Sequence, residues 1–180
     1  MSVFLSLRCP RQALEWCLKC FIREIPLNSQ AGKIMETKLL HGVPLFEPLS
    51  ENEIQEVAAK MRILQVPKET VVLNEGEHSD SLYVVLSGKV KIFLVDEHGE
   101  AITLNVLGEG EYFGEVSLFD NGDRSASVIA LNNSYFGVLG REDVLSLISK
   151  HPEMLRVIMT GTTSRIRDLS NNVRSLAANW

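Results

Sequence analysis

The chain has 180 residues, 45% of them hydrophobic and 23% charged, the balance of a soluble globular domain that needs no disulfide or metal to fold. No apolar run reaches the ~18 residues of a membrane span, and Val3-Phe4-Leu5 is too short for a signal peptide, so a cytoplasmic protein that does not enter the membrane is expected. The net charge of −5 excludes a chain whose whole surface grips nucleic acid.

Residues 1–34 differ from the rest. They carry five basic and two acidic side chains, a net +3 that leaves −8 for the remainder, and they hold all three cysteines, Cys9, Cys17 and Cys20. Arg11 to Ile25 reads as one amphipathic helix, with Leu14, Trp16, Cys17, Cys20 and Phe21 apolar. Met35 opens a stretch that reads like a domain start, so the organisation expected is a tail over 1–34, a domain over 35–150 and a long helix over 151–180. The tail is read either as a loose appendage or as the product of a mis-assigned translation start.

Ser50-Glu51-Asn52-Glu53 is a capping box, and Ile54, Val57, Ala58 and Met61 follow it at helical spacing. From Arg62 to Leu139 the period changes to two. Strands are predicted at Thr70–Asn74, Ser81–Leu86, Lys89–Leu94, Ala101–Val106, Ser125–Ala130 and Ser134–Leu139, with a hairpin turn at Asp96-Glu97-His98-Gly99. Short strands with regular turns imply a small antiparallel sandwich or jelly roll.

Helix returns at Arg141, and Pro152 suits the first turn of another. From there Leu155, Met159, Thr162, Ile166, Leu169, Val173, Leu176 and Trp180 alternate at spacings of four and three, interrupted locally by Gly161 and Thr162. Such a seam fits either a helix lying on the β-domain or a parallel two-stranded coiled coil. The dimer is favoured, because a helix packed on a domain shows a broader apolar face.

The chemistry concentrates between Gly110 and Ala126. Gly114 precedes a short helical turn, where the absence of a side chain lets a ligand approach the backbone. Arg124 and Ser125 follow ten residues later, and a guanidinium beside a hydroxyl suits a phosphate. Glu115 belongs in such a site only if the ligand also brings hydroxyl donors, as a ribose does. On spacing alone, a surface turn with an Arg–Glu pair accounts for the same residues.

Tyr112-Phe113-Gly114-Glu115-Val116-Ser117-Leu118-Phe119 followed by Asp123-Arg124-Ser125-Ala126 resembles the phosphate-binding cassette of cyclic-nucleotide-binding domains in the Crp/Fnr (catabolite activator) superfamily. Asn74-Glu75-Gly76-Glu77 with Ser81 to Val90, and Ser170 to Ala177, extend the resemblance over about residues 40–178. The resemblance implies an α+β fold: an antiparallel β-roll (jelly roll, double-stranded β-helix) flanked by short helices, with a long C-terminal dimerisation helix. It implies a regulatory domain that binds a cyclic nucleotide, cAMP ahead of cGMP, with no cofactor, no metal and no catalysis. The binding set it implies is Gly114, Glu115, Val116, Ser117, Arg124, Ser125, Ala126, Leu169 and Ser170. Glu115 would take the ribose 2′-hydroxyl and Arg124 the cyclic phosphate, supported by Ser125 and by amides near Gly114, Val116 and Ala126. The family's adenine-contacting threonine–serine pair falls at Leu169 and Ser170, so the threonine is missing and the purine preference is open.

In the family, transcription factors continue into a helix-turn-helix, which would begin where Trp180 stands. The sequence leaves open a fragment of a DNA-binding regulator or a stand-alone module acting through a protein partner. A redox sensor holding an iron–sulfur cluster on Cys9, Cys17 and Cys20 is the weaker alternative, since such clusters need four thiolates. His41, His78, His98 and His151 show no pairing that suggests a metal.

Overall fold

The computed structural model describes residues 23–24 and 39–177. The strands are β1 (Arg23–Glu24), β2 (Arg62–Val66), β3 (Val71–Leu73), β4 (Ser81–Ser87), β5 (Val90–Val95), β6 (Ala101–Leu107), β7 (Tyr112–Phe113), β8 (Ser127–Ala130) and β9 (Ser134–Gly140). The helices are α1 (Glu51–Lys60), α2 (Glu115–Asp120), α3 (Arg141–Lys150) and α4 (Pro152–Ala177), with a short 3-10 turn at Pro44–Phe46. Every strand pairing is antiparallel. One sheet runs β1-β2-β9-β4-β7 and the other β3-β8-β5-β6, which is the expected β-roll.

Strand β4 shows why the roll holds together. Its side chains alternate, as strand geometry requires. Leu82, Val84 and Leu86 pack with Phe46, Val57, Met154 and Ile158 in the core beneath the helices. Val85 packs on the other face with Val90, Leu107, Phe113 and Phe136 between the sheets. A strand covered on both faces reads as a continuous apolar run. Phe113 stacks on Tyr83 at 5.1 Å and meets Phe136 edge-on at 5.6 Å, which fixes the end of β7 where the functional turn begins.

The capping box forms as its sequence implies: the Ser50 amide and hydroxyl donate to Glu53 at 2.9 and 2.6 Å. These bonds hold the Glu53 carboxyl below its ordinary pKa. The hairpin turn also forms, with Asp96 Oδ1 accepting the amides of His98 and Glu100.

Three sequence expectations change. The helix predicted over Arg11–Ile25 gives way at its end to β1, whose residues pair with Leu64 and Gln65 along the edge of β2, where backbone groups offer a ladder; the rest of that prediction lies outside the described residues. The predicted strand at Ser125 starts at Ser127 instead. Arg124 is drawn out of the ladder by two backbone bonds of 2.9 Å, from the Gly76 amide to its carbonyl and from its own amide to the Glu77 carbonyl. Finally, α4 does dock on the domain, but through a face offset from the heptad seam. Met154 and Ile158 are buried, whereas Leu155, Met159, Ile166 and Val173 lie exposed and Thr162 and Leu169 turn toward a cleft. Leu176 falls in α4 and Trp180 outside the described residues.

Candidate functional site

The cleft lies between the second sheet, the α2 turn and the middle of α4, with a volume of about 170 Å³. Its apolar walls come from Leu73, Ile92, Leu104 and Val128 on the sheet and from Ile166 and Leu169 on the helix. Its polar floor is built around Arg124.

Gly114 sits at φ +85°, a left-handed backbone angle that favours glycine, and it caps α2. A side chain there would meet Arg124 Nη1 and the Ser81 carbonyl. The vacated space admits the guanidinium, which is only 3% exposed. Arg124 Nη1 donates to the Gly114 carbonyl and to Ser117 Oγ, both at 2.8 Å. Its Nη2 donates to Ser79 Oγ at 2.6 Å and to the Ser81 carbonyl at 2.7 Å. A guanidinium has five N–H donors. Four are thus held by the protein, and the fifth, on Nε, is buried without a partner. Burial pulls the Arg124 pKa below the ordinary guanidinium value, opposed by Tyr83 and by nearby carboxylates led by Asp80.

Glu115, 6% exposed, starts α2. Its Oε1 accepts Arg165 Nη1 at 2.8 Å, and Arg165 Nη2 donates to the Tyr112 carbonyl at 2.6 Å. The Arg165 guanidinium lies 4.9 Å over the Tyr112 ring. Tyr112 in turn shares its hydroxyl between the Val157 and Ile158 carbonyls of α4, at 3.2 Å each. Burial pushes the Tyr112 phenol up to about 12. Gly161 makes this possible, because a Cβ there would collide with the Tyr112 hydroxyl. The glycine that interrupts the heptad seam is therefore a seat for a tyrosine from β7.

Of the residues singled out in the sequence, Gly114, Glu115, Val116, Ser117, Arg124, Ser125, Ala126 and Leu169 all line this cleft. Ser170 does not; its hydroxyl donates at 2.9 Å to the Ile166 carbonyl of its own helix. Sequence reasoning missed Thr162 and Arg165, which line the cleft from α4. Thr162 enters the sequence reading only as a weak seam position, and Arg165 is not singled out there. A wider groove of about 500 Å³ lies along another face of α4, bordered by Pro44, Arg156, Thr160, Ser164 and Asp168, and holds no buried unpartnered side-chain donor. Among the described residues, no group of three or more His, Cys, Asp or Glu could hold a metal ion, and no helix is long and apolar enough to cross a membrane. Cys9, Cys17 and Cys20 lie outside the described residues.

Residues 63–151 match the family model described as "Cyclic nucleotide-binding domain". The "Cyclic AMP receptor protein" of Thermus thermophilus is 35% identical over 129 residues, 72% of this chain and 60% of that protein. The chain spans 60–64% of the length of the curated relatives it matches, which are named as receptors and transcriptional regulators. Among solved structures, the N-terminal domain of a transcriptional regulator from Streptomyces coelicolor A3(2) is 31% identical with a TM-score of 0.57, covering 75% of this chain and 94% of that one. A cyclic nucleotide-binding domain from Methylobacillus flagellatus, 22% identical, shares the fold with a TM-score of 0.70 over 88% of this chain and 90% of its own. The sequence match across the roll, the buried arginine beneath the Gly114 turn and the long helix roofing the cleft agree: this chain belongs to the cyclic-nucleotide-binding domains of the Crp/Fnr superfamily.

Proposed function

We propose that the chain is a sensor module that binds a 3′,5′-cyclic nucleotide, cAMP ahead of cGMP, in the cleft under α4. Arg124 Nε takes an oxygen of the cyclic phosphate, with Ser125 beside it, and Glu115 takes the ribose 2′-hydroxyl through the carboxylate oxygen that Arg165 leaves open. The observation that carries the reading is the unpartnered Nε of a buried arginine lining a cleft. An unmet buried donor is costly, and an anionic acceptor would satisfy it.

The exposed seam of Leu155, Met159, Ile166 and Val173 supports a homodimer through α4. A ligand that touches both the roll and α4 biases the helix only as far as it binds one arrangement better than the other. Because relatives that extend beyond the matched length include proteins named global transcriptional regulators, the module is read as the sensing part of such a regulator, with DNA contacted by a helix-turn-helix outside this chain.

Calorimetry with cAMP and cGMP tests the ligand. Removing one member of a buried, hydrogen-bonded charge pair costs about 2–5 kcal/mol, so Arg124→Ala is expected to weaken binding by roughly 30- to several-thousand-fold. Arg124→Lys should recover part, because a point charge lacks the planar fork. Binding unchanged in Arg124→Ala, or no binding by the unmutated chain at millimolar concentration, would overturn the reading.

A further inference from the structure

A hydroxyl on a helix ordinarily turns back onto the carbonyl four residues earlier. Thr160, Thr163 and Ser170 of α4 all do so, donating to the carbonyls of Arg156, Met159 and Ile166 at 2.7–2.9 Å. Thr162 does not. The carbonyl it would use is that of Ile158, which already accepts the Tyr112 hydroxyl at 3.2 Å in addition to the helical amide bond. A carbonyl has two lone pairs, and both are occupied. The Thr162 hydroxyl is left without a protein partner among the described residues, half-buried, on the wall of the cleft.

Several of the other polar side chains lining the cleft already have partners or a proposed one. Arg124 and Ser117 bond each other in the floor, Arg165 and Glu115 are paired, and Ser125 adjoins Arg124 at the proposed phosphate end. Asn105 uses one lone pair of its Oδ1 on the Val106 amide at 2.8 Å. Of the α4 residues that line the cleft, Thr162 is the one whose side chain can both donate and accept. That capacity is what the edge of a purine needs, since adenine presents a donor beside an acceptor and guanine reverses the order.

We infer that the Thr162 hydroxyl reads the polar edge of the ligand's purine from within the same chain, and that Tyr112 is a positioning residue that keeps this hydroxyl free by occupying the Ile158 carbonyl. The inference rests on the cyclic-nucleotide reading above. It assigns base recognition to a residue about two helical turns before Leu169 and Ser170, of which the first has no hydroxyl and the second bonds its own helix.

The test is calorimetry on the full chain with three probes: cAMP, cGMP and the cyclic phosphate of unsubstituted purine riboside. A neutral hydrogen bond in a protected site is worth about 2- to 10-fold in affinity. Thr162→Val is expected to shrink the ratio between the best- and worst-bound probe by that factor, and Thr162→Ser to restore it. Tyr112→Phe should produce a similar loss, because the Ile158 carbonyl then recaptures the threonine, and should add nothing in a Thr162→Val background. Parental ratios in Thr162→Val would overturn the inference while leaving the ligand assignment standing. A Tyr112→Phe loss that is the same with and without the threonine hydroxyl would remove the positioning role. Failure of the unmutated chain to bind any of the three would overturn the ligand assignment and the inference together.

Discussion

Arg165 Nη1 lies 2.8 Å from Glu115 Oε1, so a residue in the middle of α4 is bonded to the first residue of the α2 turn, fifty positions earlier in the chain. The pair is largely buried, with 16% and 8% of the two side chains exposed. It joins the roof of the cleft to its floor. Removing one partner leaves the other charge buried and unpaired, a loss of about 3 kcal/mol or more. Arg165→Met is therefore expected to lower stability by about that amount in urea unfolding, and adding Glu115→Gln should restore part of it. Losses that simply add in the double variant would show that the two residues do not act as a pair.

The open oxygen of Glu115 makes a different experiment informative. Glu115→Gln should weaken binding of a cyclic ribonucleotide more than binding of its 2′-deoxy counterpart, whose missing hydroxyl removes the proposed partner. Parallel titrations of the two ligands against both proteins measure this directly. An identical loss for both would place the ribose elsewhere.

The seam on α4 supports an oligomeric prediction. Ile166 and Val173 are 58% and 64% exposed, too much apolar surface on one stripe for a helix with no further partner. Ile166→Glu with Val173→Glu would oppose like charges across a parallel dimer and should yield monomers in sedimentation velocity. If the unmutated chain sediments as a monomer at micromolar concentration with and without cyclic nucleotide, the seam has another purpose.

Tyr112 predicts an alkaline signature. Its phenol is pushed up to about 12 by burial, and burial also raises Tyr83. Between about pH 10, where an unfolded tyrosine ionises, and about pH 12, the folded form holds a proton that the unfolded chain releases. Stability must then fall as pH rises through that window. An ultraviolet titration should show a late tyrosine step that Tyr112→Phe deletes. A single step near 10 would contradict the burial described above.

What could be read ahead of the structure follows from how local each signal is. The Ser50 capping box, the Asp96–Gly99 turn and the period-two strands are decided within a few residues, and apart from the later start of β8 they form close to where expected. The floor of the cleft was legible because Gly114 and Arg124 lie ten positions apart with a recognisable pattern between them. Strand β2 was not picked out because Arg62–Val66 follows the apolar stripe of α1 without a break in composition, and β7, at two residues, is too short to show a period. Arg165 and Thr162 could not be recognised, because nothing near them in sequence announces Glu115 or Tyr112; only the docking of α4 brings these residues together. That docking uses Met154 and Ile158, a second apolar stripe that the more regular heptad masks.

The four bonds that anchor Arg124 also determine where movement can occur. A side chain tied to Gly114, Ser117, Ser79 and Ser81 cannot swing toward an arriving anion without breaking contacts to two segments of the roll. The floor is a shape set by the fold itself. The roof is different: at the cleft, α4 is tied to the roll by the polar contacts of Arg165 and of the Tyr112 hydroxyl. A ligand in the cleft would thus have a side chain fixed by four bonds beneath it and, above it, a helix tied to the roll by a few polar contacts.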